Sequence, residues 1–226
     1  MATLVTLRAR MRLALNDPAS AAQRFADADL DEAVQRALDA YGAVVPNVRT
    51  QLVATTAGSR SVSLALLSAT ATGVLSVRFP WPASGAVDRP GNEPWRHDPY
   101  LNTVVVVGTV VPAGQSMEIG YTAAHLVDVS GSTVPASDDA TLLLGATGYA
   151  CLAYSMPAAD NFRYTDGTAG SGVDDTKIPG EWRARADKLL ERFEKGLHKL
   201  EMLRARGVRA RLAVNDPLVY ASETEL

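Results

Sequence analysis

The hydrophobic period of this chain changes twice, and that change constrains the fold more than any motif does. Up to about residue 48, apolar residues recur every three or four positions. From Thr50 to about Val129 they recur at every second position, and after Ser130-Gly131-Ser132 the helical spacing returns. A helix presents one face with a period of about 3.6 residues and a strand with a period of 2, so the order is helices, strands, helices. That is a β domain set into a helical one, of class α+β. The expected parts are N-terminal helices over 1–48, an inserted small antiparallel sheet or barrel over 49–130, two long helices completing the bundle over 131–207, and an extended tail over 208–226.

Local signals fill in this outline. Leu4, Leu7, Met11 and Leu15 share a face over Thr3–Asn16, with Arg8, Arg10 and Arg12 mostly elsewhere. Asn16-Asp17-Pro18 stops that helix, because proline lacks a backbone donor and disfavours helical geometry in the residue before it. DADLDEAVQRALDAYGAVVP predicts a second helix, capped by Asp27 or Asp29, striped by Leu30, Val34, Ala37, Leu38 and Tyr41, and ended by Gly42 and Pro46. β-Branched runs at Thr50–Thr56, Ser61–Leu64, Gly73–Phe79, Thr103–Val111 and Met117–Ala123 predict strands, with an aromatic, proline-rich loop from Phe79 to Tyr100.

In TVPASDDATLLLGATGYACLAYSM, Ser137 is the expected cap of a helix whose apolar residues cover most of its circumference, which predicts a central core helix. Thr165–Asp175 is polar and glycine-rich, the composition of a flexible loop. The final helix is expected from Pro179 to Arg206 with Gly207 as its cap. Its stripe is Trp182, Ala186, Leu189, Leu190, Phe193, Leu197, Leu200 and Leu203. Such a helix is roughly 40 Å long, so its far end is expected to reach past its own core toward a neighbour.

The totals exclude several classes. A net charge of −3 and a pI near 5.6 give no overall electrostatic reason to grip nucleic acid or an anionic membrane. The apolar stretches Leu101–Pro112 and Leu142–Ala153 fall short of the roughly 20 residues of a membrane span. The opening MATLVTLRARMRLALN interleaves arginine with apolar residues, unlike a secretory signal, which leads to the expectation of a mature helix in a cytoplasmic product. The single cysteine, Cys151, lies in an apolar run, so burial is expected.

No catalytic set emerges. His97, His125 and His198 belong to no HxH, HExxH or CxxC pattern, so no metal site is expected. GxSxG and SxxK are absent, and GTAGSG at 167–172 lacks the Lys-Ser/Thr of a phosphate loop. Asp138-Asp139 and Asp174-Asp175 are expected to serve helix starts. Phe79, Trp81, Trp95 and Tyr100 suit either a cover on one end of the sheet or a platform for a carbohydrate or peptide. No catalytic residue, metal or cofactor is assigned.

From Glu181 to Arg211 ten cations (183, 185, 188, 192, 195, 199, 204, 206, 209, 211) stand against five acids (181, 187, 191, 194, 201), a surplus of five. Their helical spacing suits a solvated or subunit-bridging face. Arg185, Lys188, Arg192, Lys195 and Lys199 are the candidate intersubunit residues.

The order of parts, with DADLDEAVQRALDAYGAVVP, then EIGYTAAHLVD closing the β insertion, then STVPASDDATLLLGATGYACLAY and a long last helix, resembles the head-tail connector (adaptor) proteins of long-tailed bacteriophages. The resemblance implies a non-enzymatic virion protein made in the host cytoplasm and placed in the neck. It implies a homo-oligomeric ring, usually of twelve copies, under the portal and above the stopper or tail. Double-stranded DNA would pass through without sequence-specific contact. It also implies that a C-terminal segment docks on the portal, here the tail around Leu218, Val219 and Tyr220. The competing expectation is a binding module whose β domain recognises a carbohydrate or peptide.

Overall fold

The computed structural model describes residues 2–17, 24–81, 93–155, 163–165, 172–174 and 178–215. The fold is α+β. In chain order the elements are α1 (Leu4–Leu15), α2 (Asp27–Val44), β1 (Asn47–Ala54), β2 (Ser61–Ser63), β3 (Ala71–Trp81), β4 (Trp95–Asp98), β5 (Thr103–Val106), β6 (Ser116–Ala123), α3 (Asp139–Tyr154), β7 (Arg163–Thr165), β8 (Gly172–Asp174) and α4 (Ile178–Asn215). They form two compact units: a helical one, Met1–Val45 with Leu126–Leu226, and a β one, Pro46–His125.

In the helical unit α1 starts at Thr3, whose hydroxyl accepts from the Thr6 amide. It ends at Asn16, whose left-handed backbone (φ 55°) lets its own amide turn back onto the last helical carbonyls. Leu7, Met11 and Leu15 are buried as their spacing predicts. Arg12 is a correction. It shares their buried side, because Asp17, Asp27 and the Phe25 carbonyl surround its guanidinium with acceptors and make burial tolerable. The α2 stripe of Leu30, Val34, Ala37, Leu38 and Tyr41 is buried throughout. Asp29 accepts the Ala26 amide at the start of α2, while Asp27 turns to the arginines of α1. Gly42 does not end α2. The helix runs two residues further and stops before Pro46, whose ring excludes helical geometry at Val45 (φ −118°, ψ 80°).

The central helix α3 buries Leu142, Ala146, Ala150 and Cys151 in the same core as α1, α2 and α4. Its start departs from expectation. Ser137 does not cap it but donates its hydroxyl to Asp138, which also takes the Tyr41 phenol at 2.6 Å. Neither Asp138 nor Ser137 caps because a 3-10 turn, Ala136–Asp138, precedes the helix. Asp139 lies in the first turn, where the helix dipole favours a negative charge. Three glycines bring α3 and α4 together. A Cβ on Gly145 would stand 2.9 Å from the Phe193 ring, one on Gly148 2.9 Å from Leu190, and one on Gly196 2.8 Å from Thr141.

The β unit contains two three-stranded antiparallel sheets, ordered β1-β6-β3 and β2-β5-β4, where one sheet or barrel was expected. β6 is the centre of the first, pairing Gln51 and Val77 across Ile119. Alternation sends Met117, Ile119, Tyr121 and Ala123 into one core with Val62, Val104, Val106, Val77 and Phe79. β4 lies within the stretch expected to be loop, and pairs with β5 from Trp95–Val106 to Asp98–Thr103. Its residues, WRHD, include none that is β-branched and stand between Pro94 and Pro99, so nothing in them announces a strand. β5 is shorter than its β-branched run, because the Val107 and Gly108 amides turn to the Pro94 carbonyl.

The polar loop is also corrected at both ends. β7 and β8 pair antiparallel from Arg163–Asp174 to Thr165–Gly172, so Asp174 lies in a strand and not at a helix start. Residues 166–171 and Asp175 lie outside the described residues.

Candidate assembly surface

α4 is the largest element of the helical unit. At about 1.5 Å per residue its 38 residues extend roughly 57 Å. It passes helically through Gly207, which therefore does not cap it. The flanking residues are good helix formers, and glycine inside a helix costs only about 1 kcal/mol. The apolar side holds Ala186, Phe193 and Leu197 in the core, with Trp182, Leu189, Leu190 and Leu200 packed at its margin. Leu203 departs from the predicted stripe. It is 53% exposed, as its neighbour Met202 is at 47%.

The candidate cations divide. Lys188, Arg192, Lys195 and Lys199 are exposed on the solvent side of α4. Lys195 pairs with Glu191 at 2.6 Å, which lowers the Glu191 carboxyl below its ordinary range through that hydrogen bond. Arg185 is exposed too, but its guanidinium donates to the Ala14 carbonyl of α1 and lies 5.4 Å from the Trp182 ring centre. It therefore ties α4 to α1. The predicted docking residues Leu218, Val219 and Tyr220 lie outside the described residues.

At the start of α4 three aromatic rings meet, each near both others. Phe25 is 5.1 Å from Tyr154 and 5.7 Å from Trp182, and Tyr154 is 5.2 Å from Trp182. A cleft of about 430 Å³ opens beside them, lined by Arg24, Tyr154, Glu181, Trp182 and Arg185. Sequence reading missed this cluster, since its three rings come from separated segments. Among the described residues the arrangement offers stacking and charge but no paired nucleophile and base.

The other singled-out residues are dispersed. His97 sits in β4, His125 is buried at the end of the β unit, and His198 faces Glu201 on α4 at 3.5 Å. Phe79 is core, Trp95 packs against that core, Trp81 is half-buried, and Tyr100 is 98% exposed, so the four do not form one platform. Burial pushes the Cys151 thiol up to about 11, which keeps it protonated and unreactive. Among the described residues no group of three or more His, Cys, Asp or Glu side chains is placed to hold a metal ion. Among them too, no helix is long and apolar enough to cross a membrane.

These features define an α+β protein of two units with a long charged helix. No protein-family model matches the chain, and no curated protein does. Two solved structures are similar to it in part. One is the neck of an empty gene transfer agent (GTA) particle computed with C6 symmetry, at 20% identity over 80% of this chain and 88% of that one, with a TM-score of 0.29. The other is the virion of a native GTA particle, at 21% identity over 81% of this chain and 92% of that one, with a TM-score of 0.27. Superpositions this loose establish no common structure.

Proposed function

We propose that this chain is a structural, non-enzymatic component of the neck of a phage-like virion. Copies of it form an adaptor ring of twelve subunits between the portal and the stopper or tail. Double-stranded DNA passes through the ring without sequence-specific contact. The tail residues Leu218, Val219 and Tyr220 meet the portal. The observation that carries the proposal is α4, a helix of 38 residues whose solvent side is densely charged and whose Met202 and Leu203 remain exposed. A helix of that length and surface suits contact with a neighbour better than life on a monomer. The order of parts in the sequence supports the same reading, as does the net charge of −3, which lets DNA slide past.

The test is the mass of the purified protein by light scattering across a concentration series, with and without portal protein. A large closed oligomer in either condition is the expected result. A monomer in both overturns the ring.

A further inference from the structure

We infer that α4 between Asp187 and Glu201 is split lengthwise into a basic and an acidic stripe, and that the basic stripe of one copy packs against the acidic stripe of the next. The inference deepens the ring reading and rests on it. With about 3.6 residues per turn, Lys188, Arg192, Lys195 and Lys199 follow one another at spacings of four, three and four and so form one line along the helix. Asp187, Glu191, Glu194 and Glu201 form a second line, centred roughly 120° around the helix from the first, with His198 beside Glu201 on it. The pattern starts at Asp187, since Glu181 falls on the basic line and Arg183 on the acidic one. All eight side chains are exposed, and the third side of the helix is the buried one with Ala186, Phe193 and Leu197.

A helix carrying mixed charges only for solubility has no need to segregate them by sign. Segregation gives it two different faces that complement each other, and a contact between two different faces is heterologous, the kind that generates rings. Such a contact sets neighbouring α4 helices side by side and parallel. The within-helix pairs leave charge to spare. Lys195 is matched by Glu191 and Asp187 by Arg183, whereas among the described residues Lys188, Arg192, Lys199 and Glu194 make no ion pair. Beyond Lys199 the exposed Met202 and Leu203 flank the basic line, adding an apolar contact at its end.

Two charge-reversed full-length chains test the pairing. One carries Lys188→Glu, Arg192→Glu and Lys199→Glu, so that both stripes are acidic. The other carries Asp187→Lys, Glu194→Lys and Glu201→Lys, so that both are basic. Glu and Lys are comparable helix formers at exposed sites, so circular dichroism is expected to match the parent. Light scattering is expected to find each variant monomeric alone and the equimolar mixture assembled to the parent mass. A third chain carrying all six changes also assembles, because its stripes have merely exchanged places.

Either variant assembling alone as the parent does overturns the stripe contact and leaves the ring intact. Two monomeric variants that neither mix nor recover in the six-fold chain also overturn it, because the stripes then matter without being complementary. A parent chain that stays monomeric by itself overturns it as well. The ring is then judged separately, by adding portal.

Discussion

The two units solve the problem of specifying one arrangement in different ways. The β unit is held by an alternating apolar core, and its fully buried large side chains include Phe79, Met117, Ile119 and Tyr121. Its buried polar residues among those described are Thr55 and His125. The helical unit buries a guanidinium and a carboxylate. Arg12 and Asp17 are 7% and 3% exposed, joined at 2.9 Å, and Asp17 also accepts the amides of Arg24 and Phe25. A helix pair packed only by apolar ridges tolerates sliding and rotation, whereas a buried ion pair has one acceptable geometry. The polar pins at Arg12 and at Tyr41–Asp138 thus supply the register that β pairing supplies to the other unit.

The largest expected effect comes from removing one half of the pin. Arg12→Met leaves Asp17 buried without its cation, which costs on the order of 3–5 kcal/mol. Chemical denaturation followed at Trp182 is expected to register this loss in the helical unit, while Trp81 and Trp95 report a β unit whose midpoint is unmoved. Adding Asp17→Asn to Arg12→Met recovers part of the loss. An equal loss at all three tryptophans breaks the contrast between the units. Next in size is the glycine contact between α3 and α4. Gly145→Ala places a methyl group against the Phe193 ring, which is itself fully buried and has nowhere to move. It is expected to cost about 1–3 kcal/mol by thermal unfolding. Gly148→Ala meets the branched end of Leu190, which is only partly buried and can turn aside, so it costs less.

What was legible in the sequence follows the same division. Periodicity located α1, α2, α3 and α4 and the strands β1, β3 and β6, and β-branched runs marked the short β2 and β5. β4, as long as β5, was hidden by the prolines on either side of it and its lack of β-branched residues, β8 by glycine-rich composition, and β7 because three residues, RYT, show no alternation. Arg12 could not be recognised as buried, since its partners Asp17 and Asp27 come together only through the turn after α1. The same limit hid the Phe25–Tyr154–Trp182 cluster. Of the candidate site, the cationic line on α4 was legible because helical spacing is a local property. Arg185 was grouped with it although its guanidinium turns back to α1, a distinction spacing does not contain.

The smallest expected effect separates the units by their response to acid. Among the described residues, the carboxyls held below their ordinary range are Asp27, by the hydrogen bond from Arg12, Asp128, by the hydroxyl and amide of Ser130 and the amide of Gly131, and Glu191, by Lys195. All three belong to the helical unit. A carboxyl whose folded pKa is depressed binds its proton more readily in the unfolded chain. Its stability contribution is therefore complete above the unfolded pKa, about 4, and is lost as pH falls through the folded value. All three are solvent-exposed, so each contributes little and salt reduces it further. The expected outcome is a denaturation midpoint at Trp182 that falls modestly between pH 5 and pH 3 at low salt, with a smaller fall at Trp81 and Trp95. Asp27→Asn should reduce the Trp182 response, because the carboxylate that Arg12 stabilises is gone while those of Asp128 and Glu191 remain. If the β unit proves the more acid-sensitive of the two, ionic pinning is not what distinguishes the helical unit, and its register must come from the glycine-mediated packing of α3 on α4.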